Sequence, residues 1–559
     1  MNRREFLHRA AAAGSVLLAL PDVAAQSIRP ASRVLFTGGL LYDGLGSGPV
    51  EADVFADGDR IVTVGKNIDA GNASIVSISG LAIAPGFIDI HGHTDLSLLV
   101  DGRAVSKVHQ GVTTEVVGQD GDSIGPLRED VFVEIRDAYM QEYGVLIDFR
   151  FLPEFFSRVV RSGSAINLAS MVGAGTIRQY VVGEEDREAT PAEMDEMKAL
   201  VRAALANGAC GLSSGLEYLP GAFASTHELI ALAAELRDTG LPYATHMRNE
   251  DDSGLAAIEE ALHIGRMAGV PVQLSHLKAL GQRNWWKAPI ALDMIDAARA
   301  DGLDVTADRY PYEAYSTTLA ALFPVWVREG GTEAFLGRLN DPSLEASIEA
   351  AVVEKVDRLG DWNSAQVTMT VDEELSWANG KRLGELAAER GVRPYSLLRD
   401  LIVGDKNRTG MVGFGMDEEN TALILAHPAT MICSDGGARA PSGPLAGGSP
   451  HPRCYGSFPR VLGHYAREKK TFPLETAIMK MTSMPADRIR LPDRGRIKQG
   501  AFADLVVFDP ERVADRATFE DPHQLPVGIH HVMVNGEFVV WNGEHTLQSP
   551  GRILRPSRR

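Results

Sequence analysis

The chain reads as an α/β protein: a (β/α)8 TIM-like barrel, a small β-sandwich built from both chain ends, and a helical insertion before the eighth strand. Three observations predict this. Eight short apolar runs alternate with helical stretches between residues 86 and 435. Both chain ends carry instead short alternating patches rich in Val, Ile, Gly and Asp. The step from the seventh run to the eighth also far exceeds the roughly thirty residues that one βα unit takes in such a barrel.

Taken in order, residues 1–25 (MNRREFLHRAAAAGSVLLALPDVAA) have a charged start, an apolar run Ala10–Leu20 and the small residues Val23-Ala24-Ala25. That is the build of a cleaved signal peptide, and its apolar run is too short to span a membrane. The Arg3-Arg4-Glu5-Phe6-Leu7 start resembles a twin-arginine signal, which implies export and a periplasmic mature chain starting near Gln26. Residues 26–83, with RVLFTGGLLYDG, ADVFADGDRIVTVGK and SIVSISGLAIAPG, predict short antiparallel strands joined by turns. Residues 485–559 repeat that pattern in GRIKQGAFADLVVFDP and IHHVMVNGEFVVWNGE. The barrel occupies 84–484, with strands expected at 86–91, 112–118, 166–173, 209–215, 242–246, 272–276, 304–310 and 431–435. The excess at about 330–425 predicts a mostly helical insertion, long enough to need its own structure and to form a lid.

Composition narrows the partners. A chain of 559 residues that is 45% hydrophobic and 23% charged is globular, and its formal net charge of −19 disfavours nucleic acid and anionic membrane. A small-molecule substrate remains. The three cysteines, Cys210, Cys433 and Cys454, show no C-x-x-C spacing and imply no disulfide framework.

The stretch APGFIDIHGHTD sets His91 and His93 one residue apart at the end of the first barrel strand. Side chains two apart in a strand share a face. His246 ends strand five, His276 strand six and Asp435 strand eight. Active-site residues of such barrels stand at the C-terminal strand ends, so these five form one candidate metal site. The same period nominates Lys278, two residues after His276, Arg248, two after His246, and Tyr310 for a substrate shell.

Beyond these residues, APGFIDIHGHTD, the CSDGG aspartate and the closing GRIKQGAFADLVVFDP resemble the amidohydrolase superfamily. GLSSGLEYLPG, THMRNE, LSHLKALGQRNWW, DRYPYEAYSTTL, HPRCYGSFPRVLG and MTSMPADRIRL are similar to its D-aminoacylase branch, the N-acyl-D-amino-acid deacylases. The resemblance implies a Zn2+ enzyme with one or two ions that hydrolyses the amide of an N-acyl-D-amino acid. It makes Asp435 the catalytic proton carrier, and Lys278 and Tyr310 the binders of substrate carboxylate and carbonyl. Ser316, Tyr218 and Arg453 are further substrate-binding candidates. One departure stands out: the family usually carries GVTTVVVGNCG after strand two, and this chain reads GVTTEVVGQDGDS, with Asp120 in place of the metal-binding cysteine. A carboxylate can bind zinc as well, so Asp120 is a candidate ligand, with Glu115 its competitor. Strand four lacks the lysine that other amidohydrolases carboxylate, which speaks against the alternative of a cyclic amide hydrolase of the dihydroorotase or hydantoinase kind. A non-catalytic periplasmic binding protein is the other alternative.

Overall fold

A computed structural model describes residues 33–557, so the expected export segment lies outside the described residues. The barrel strands run in parallel and in chain order. Phe87–Asp89, Val112–Val117 and Asn167–Ser170 pair side by side. The third strand resumes at Val172–Gly173, and from there pairing passes to Leu212–Gly215, Tyr243–His246, Val272–Leu274, Val305–Arg309 and Thr430–Ile432. The seam between the last strand and the first is held by the Asp435 N–H, which donates to the His91 carbonyl at 2.8 Å. Ile88, Val116, Met171, Ala244 and Met431 fill the interior. The surrounding helices follow ordinary capping rules. Thr190, for example, accepts from the Glu193 N–H, and the Glu193 carboxylate accepts from the Thr190 N–H, so that Pro191–Ala206 starts where it does.

The two chain ends meet in a seven-stranded sheet. Leu505–Phe508 pairs antiparallel with Ala82–Pro85, which carries Leu40–Leu41 beyond it, while Ile529–Val534 and Glu537–Trp541 extend the other side. Arg33–Thr37, Asp53–Asp57, Arg60–Gly65 and Ser74–Ser77 form a second sheet. After the last strands the chain returns to the barrel. The Leu168 N–H donates to the Arg552 carbonyl, the Leu168 carbonyl accepts from the Leu554 N–H, and Leu554 packs into the barrel interior.

The insertion is mostly helical, as expected, but it also contains strands. It holds a three-stranded antiparallel sheet, with Gly410–Phe414 between Ala314–Thr318 and Ala365–Met369, so it begins nearer 314 than 330. The segments AYSTT, AQVTM and GMVGF carry β-branched and aromatic residues that suit a half-buried sheet, but each is too short to stand out beside its helical neighbours. Helices Gly331–Leu339, Glu345–Leu359, Leu383–Arg390 and Pro394–Gly404 pack on this sheet around Phe335, Val352, Leu398 and Met411. Tyr315 lies across from Gly413, where a Cβ would stand 2.3 Å from its ring. A glycine there is what lets the tyrosine lie flat. The three cysteines are buried and unpaired.

Candidate metal centre

The C-terminal strand ends converge on one pocket of about 460 Å3. His91 is fully buried, and its Nδ1 faces Asp308 Oδ1 at 3.2 Å. His93 Nε2 stands 3.0 Å from Asp435 Oδ1. Asp120 sits between them and the far wall: its Oδ1 is 3.4 Å from both His91 Nε2 and His276 Nε2, and its Oδ2 is 3.6 Å from His93 Nε2. His246 Nδ1 meets His276 Nε2 at 2.9 Å. Two groups therefore form, His91–His93–Asp120–Asp435 and Asp120–His246–His276, each with its donor atoms within 4.8 Å of one another. Asp120 belongs to both.

Backbone geometry explains how Asp120 gets there. It adopts φ of +53°, and a Cβ on Gly215 would come within 1.9 Å of its carbonyl oxygen. The glycine ending strand four thus admits the loop after strand two to the centre.

Burial disfavours charge on each of these groups, yet their mutual contacts win. Asp120 lies well below the usual carboxylate range despite burial, because His91 and His276 face it. Asp435 is likewise held low against burial, by Arg453 and the neighbouring histidines. Burial would also lower the His93 ring, but Asp120 and Asp435 carry it up to about 10. The ionised carboxylates of Asp120 and Asp435 thus face the histidines across the centre. His91 Nε2 and Asp120 Oδ1 are buried there with no hydrogen-bond partner. Leaving such atoms unpaired is costly, and a bound cation satisfies both. Imidazole and carboxylate suit zinc.

Around this core the structure distributes the remaining candidates. Arg453 Nη1 donates to Asp435 Oδ2 at 2.7 Å. Tyr310 lines the pocket with a buried hydroxyl that has no partner. Tyr218 packs on His246, ring centres 4.8 Å apart, and its hydroxyl meets Thr317 at 3.4 Å. Ser316 lines the pocket from the insertion strand. Lys278 is there too, but it is not a free cation: Nζ donates to Glu250 Oε1 at 2.5 Å. Arg248 does not share the histidine face. Strand five ends at His246, the chain turns, and the guanidinium is taken up by Glu260 and the carbonyls of Ala222 and Ala224. Glu115 stands apart from both donor groups, accepting from the Thr94 hydroxyl and lying 3.4 Å from Lys107.

Two carboxylates escape sequence reading. Asp308 receives the His276 N–H at 2.8 Å and Gln273 Nε2 at 2.7 Å besides facing His91. Glu250 faces His276 Nδ1 at 3.1 Å while holding Lys278. Partners of this kind fix the tautomer and orientation of metal-binding imidazoles. The signal was present in strand parity, since Asp308 lies two residues before Tyr310, and in the THMRNE segment that ends at Glu250.

Comparison with known proteins agrees with this geometry. Residues 75–540 match the model of the amidohydrolase family. The chain is 39% identical over 521 residues to a D-aminoacylase of Alcaligenes xylosoxydans xylosoxydans, covering 93% of this chain and 97% of that one. It superposes with a TM-score of 0.78 and 33% identity on an N-acyl-D-glutamate deacylase from Bordetella bronchiseptica, complexed with zinc and a phosphonate mimic of the tetrahedral intermediate, over 93% of this chain and 99% of that one. A D-aminoacylase solved in a study of its binuclear metal centre gives a TM-score of 0.76 at 37% identity, over 93% of this chain and 99% of that one. The chain belongs to the amidohydrolase family, in the branch of the D-aminoacylases and N-acyl-D-amino-acid deacylases.

Proposed function

We propose that the protein is a zinc-dependent hydrolase that cleaves the amide bond of N-acyl-D-amino acids, releasing a carboxylate and a free D-amino acid. The observation that carries this reading is the convergence of the unpartnered His91 Nε2 and Asp120 Oδ1 with the His246–His276 pair beside an ionised Asp435. His91, His93, Asp120, His246, His276 and Asp435 would hold one or two zinc ions, with Asp120 common to both donor groups. Zinc in such a site supplies Lewis acidity, which polarises a carbonyl and acidifies water.

The chain's own residues do the rest. Asp435 accepts a proton from water at the carboxylate oxygen facing the pocket and passes it to the leaving nitrogen, without which an amide nitrogen departs very poorly. Arg453 keeps that carboxylate ionised and aimed. Asp308 and Glu250 hold His91 and His276 so that their remaining nitrogens face the centre. Tyr310 and Lys278 line the pocket where the free carboxylate of the substrate would lie. Among the described residues no helix is long and apolar enough to cross a membrane, and the Arg3-Arg4 segment supports action in the periplasm.

The experiment is a screen of paired N-acetyl-D- and N-acetyl-L-amino acids with the purified protein. Release of free amine from D substrates is the expected result, and equal or exclusive turnover of the L series would overturn the stereochemical assignment.

A further inference from the structure

Arg309 ends strand seven, is 1% exposed, and has no place in the chemistry described above. Its Nη2 donates to the Tyr312 carbonyl at 2.8 Å and to the Thr421 hydroxyl at 3.0 Å. Nε and Nη1 are buried with no partner. No carboxylate oxygen among the described residues lies within 4.0 Å of this guanidinium. An unpaired buried charge is costly.

The guanidinium carbon stands 4.5 Å from the centre of the Tyr310 ring, and that of Arg453 stands 4.8 Å from the same ring. Tyr310 therefore has two arginines close to its ring, and its hydroxyl is buried without a partner at the wall of the catalytic pocket that the residue lines. Charge at this pole does not balance. Lys278 has Glu250 at 2.5 Å, and Arg453 has Asp435 at 2.7 Å. Arg309 has no carboxylate among the described residues within 4.0 Å, so its charge has no direct partner here.

We infer that Arg309 is a positioning residue for substrate selection: the missing counter-ion is the free carboxylate of the substrate, and Arg309 acts on it through the Tyr310 hydroxyl. The inference rests on the proposed deacylase reading and adds to it a source for the preference for anionic substrates. A cation beneath a phenol ring polarises the O–H and makes it a stronger donor to a carboxylate, and hydrogen bonds to charged partners are the stronger ones. An N-acyl-D-amino acid offers that carboxylate, whereas its C-terminal amide does not.

The test uses the zinc-loaded full chain. Arg309→Gln keeps a polar donor near Tyr312 and Thr421 while deleting the charge, and Arg309→Lys keeps the charge. Arg309→Gln should lower kcat/KM on the N-acyl-D-amino acid by roughly tenfold, the scale of one charge-assisted bond, chiefly through KM. The rate on the amidated substrate should stay within about twofold, and Arg309→Lys should recover much of the loss. Where the amide turns over too slowly, a double-mutant cycle decides: with Tyr310→Phe in place, Arg309→Gln should cost much less than it does alone. Equal losses on both substrates, additive losses in the cycle, or an Arg309→Gln protein that fails to fold or to retain zinc would each overturn the inference, since Arg309 would then serve the fold. If the unaltered protein hydrolyses no N-acyl-D-amino acid, the deacylase reading fails first, before any variant is compared.

Discussion

Replacing Asp308 with Asn should loosen the metal without disturbing the barrel. In the structure Asp308 Oδ1 faces His91 Nδ1 at 3.2 Å and accepts the His276 N–H at 2.8 Å, while Oδ2 accepts from Gln273 at 2.7 Å. An asparagine fits the same space. Its oxygen takes over the first two contacts, and its amide turns towards Gln273, whose Oε1 is buried without a partner and can accept once the glutamine amide rotates. What is lost is the charge. Hydrogen bonds to charged groups contribute about 1.5–3 kcal/mol against about 0.5–1.5 for neutral ones, so the His91 contact weakens by roughly 1–2 kcal/mol. Removing an outer partner of a metal-binding histidine typically lowers metal affinity about 10–100-fold, equivalent to roughly 1.4–2.7 kcal/mol. The two figures meet near the lower end, as suits a contact as long as 3.2 Å. Zinc affinity measured by competition with a chelating dye should fall accordingly, with circular dichroism unchanged. An Asp308→Asn protein that binds zinc as tightly as the parent would refute the assignment of Asp308 as the group that orients His91.

Other variants address separate parts of the account. Asp435→Asn should keep much of its zinc and lose about 10²–10⁴-fold, mainly in kcat, as expected for general acid–base assistance; a normal kcat with raised KM would show that Asp435 only positions substrate. Asp120→Ala should lower zinc stoichiometry or affinity and Asp120→Cys should restore it, because thiolate and carboxylate are both zinc ligands; unchanged zinc content in Asp120→Ala would remove Asp120 from the centre. Lys480 is buried, donates to the carbonyls of His427 and Thr430, and is pushed down by burial to about 7. Its folded value is lower than its unfolded one, so the unfolded chain binds the extra proton between the two and stability rises with pH across that window. Lys480→Met should therefore be favoured most over the parent below pH 7 and progressively less on the alkaline side, as read by denaturant unfolding; a pH-independent difference would contradict this.

How far the sequence revealed the site depends on where each strand stops. His91, His93, His246 and His276 stand at strand ends, where alternation and the barrel rule both hold, and the structure brings all four together with Asp435. Arg248 lies past the end of strand five, so counting in twos no longer applied, and its side chain turns to Glu260. Lys278 lies past strand six, where His276 takes φ of +34°, and it still reaches the pocket, already paired with Glu250. Asp120 was legible only as a departure from a resembled motif, because its left-handed backbone and its dependence on Gly215 are tertiary facts. Asp308 and Glu250 stayed hidden for a different reason. A carboxylate on or beside a strand is ordinary until the imidazole it faces is known, and those partners are distant in sequence or separated by a turn. The insertion sheet was missed because each of its strands is five residues long and finds its neighbours only after the intervening helices fold.

The most direct test titrates zinc back into chelator-treated protein while the initial rate of N-acetyl-D-amino acid hydrolysis is followed. The rate should begin near zero and rise with the first equivalent of zinc, with the N-acetyl-L-amino acid control remaining flat. Full activity in the metal-free protein would contradict the account at its centre.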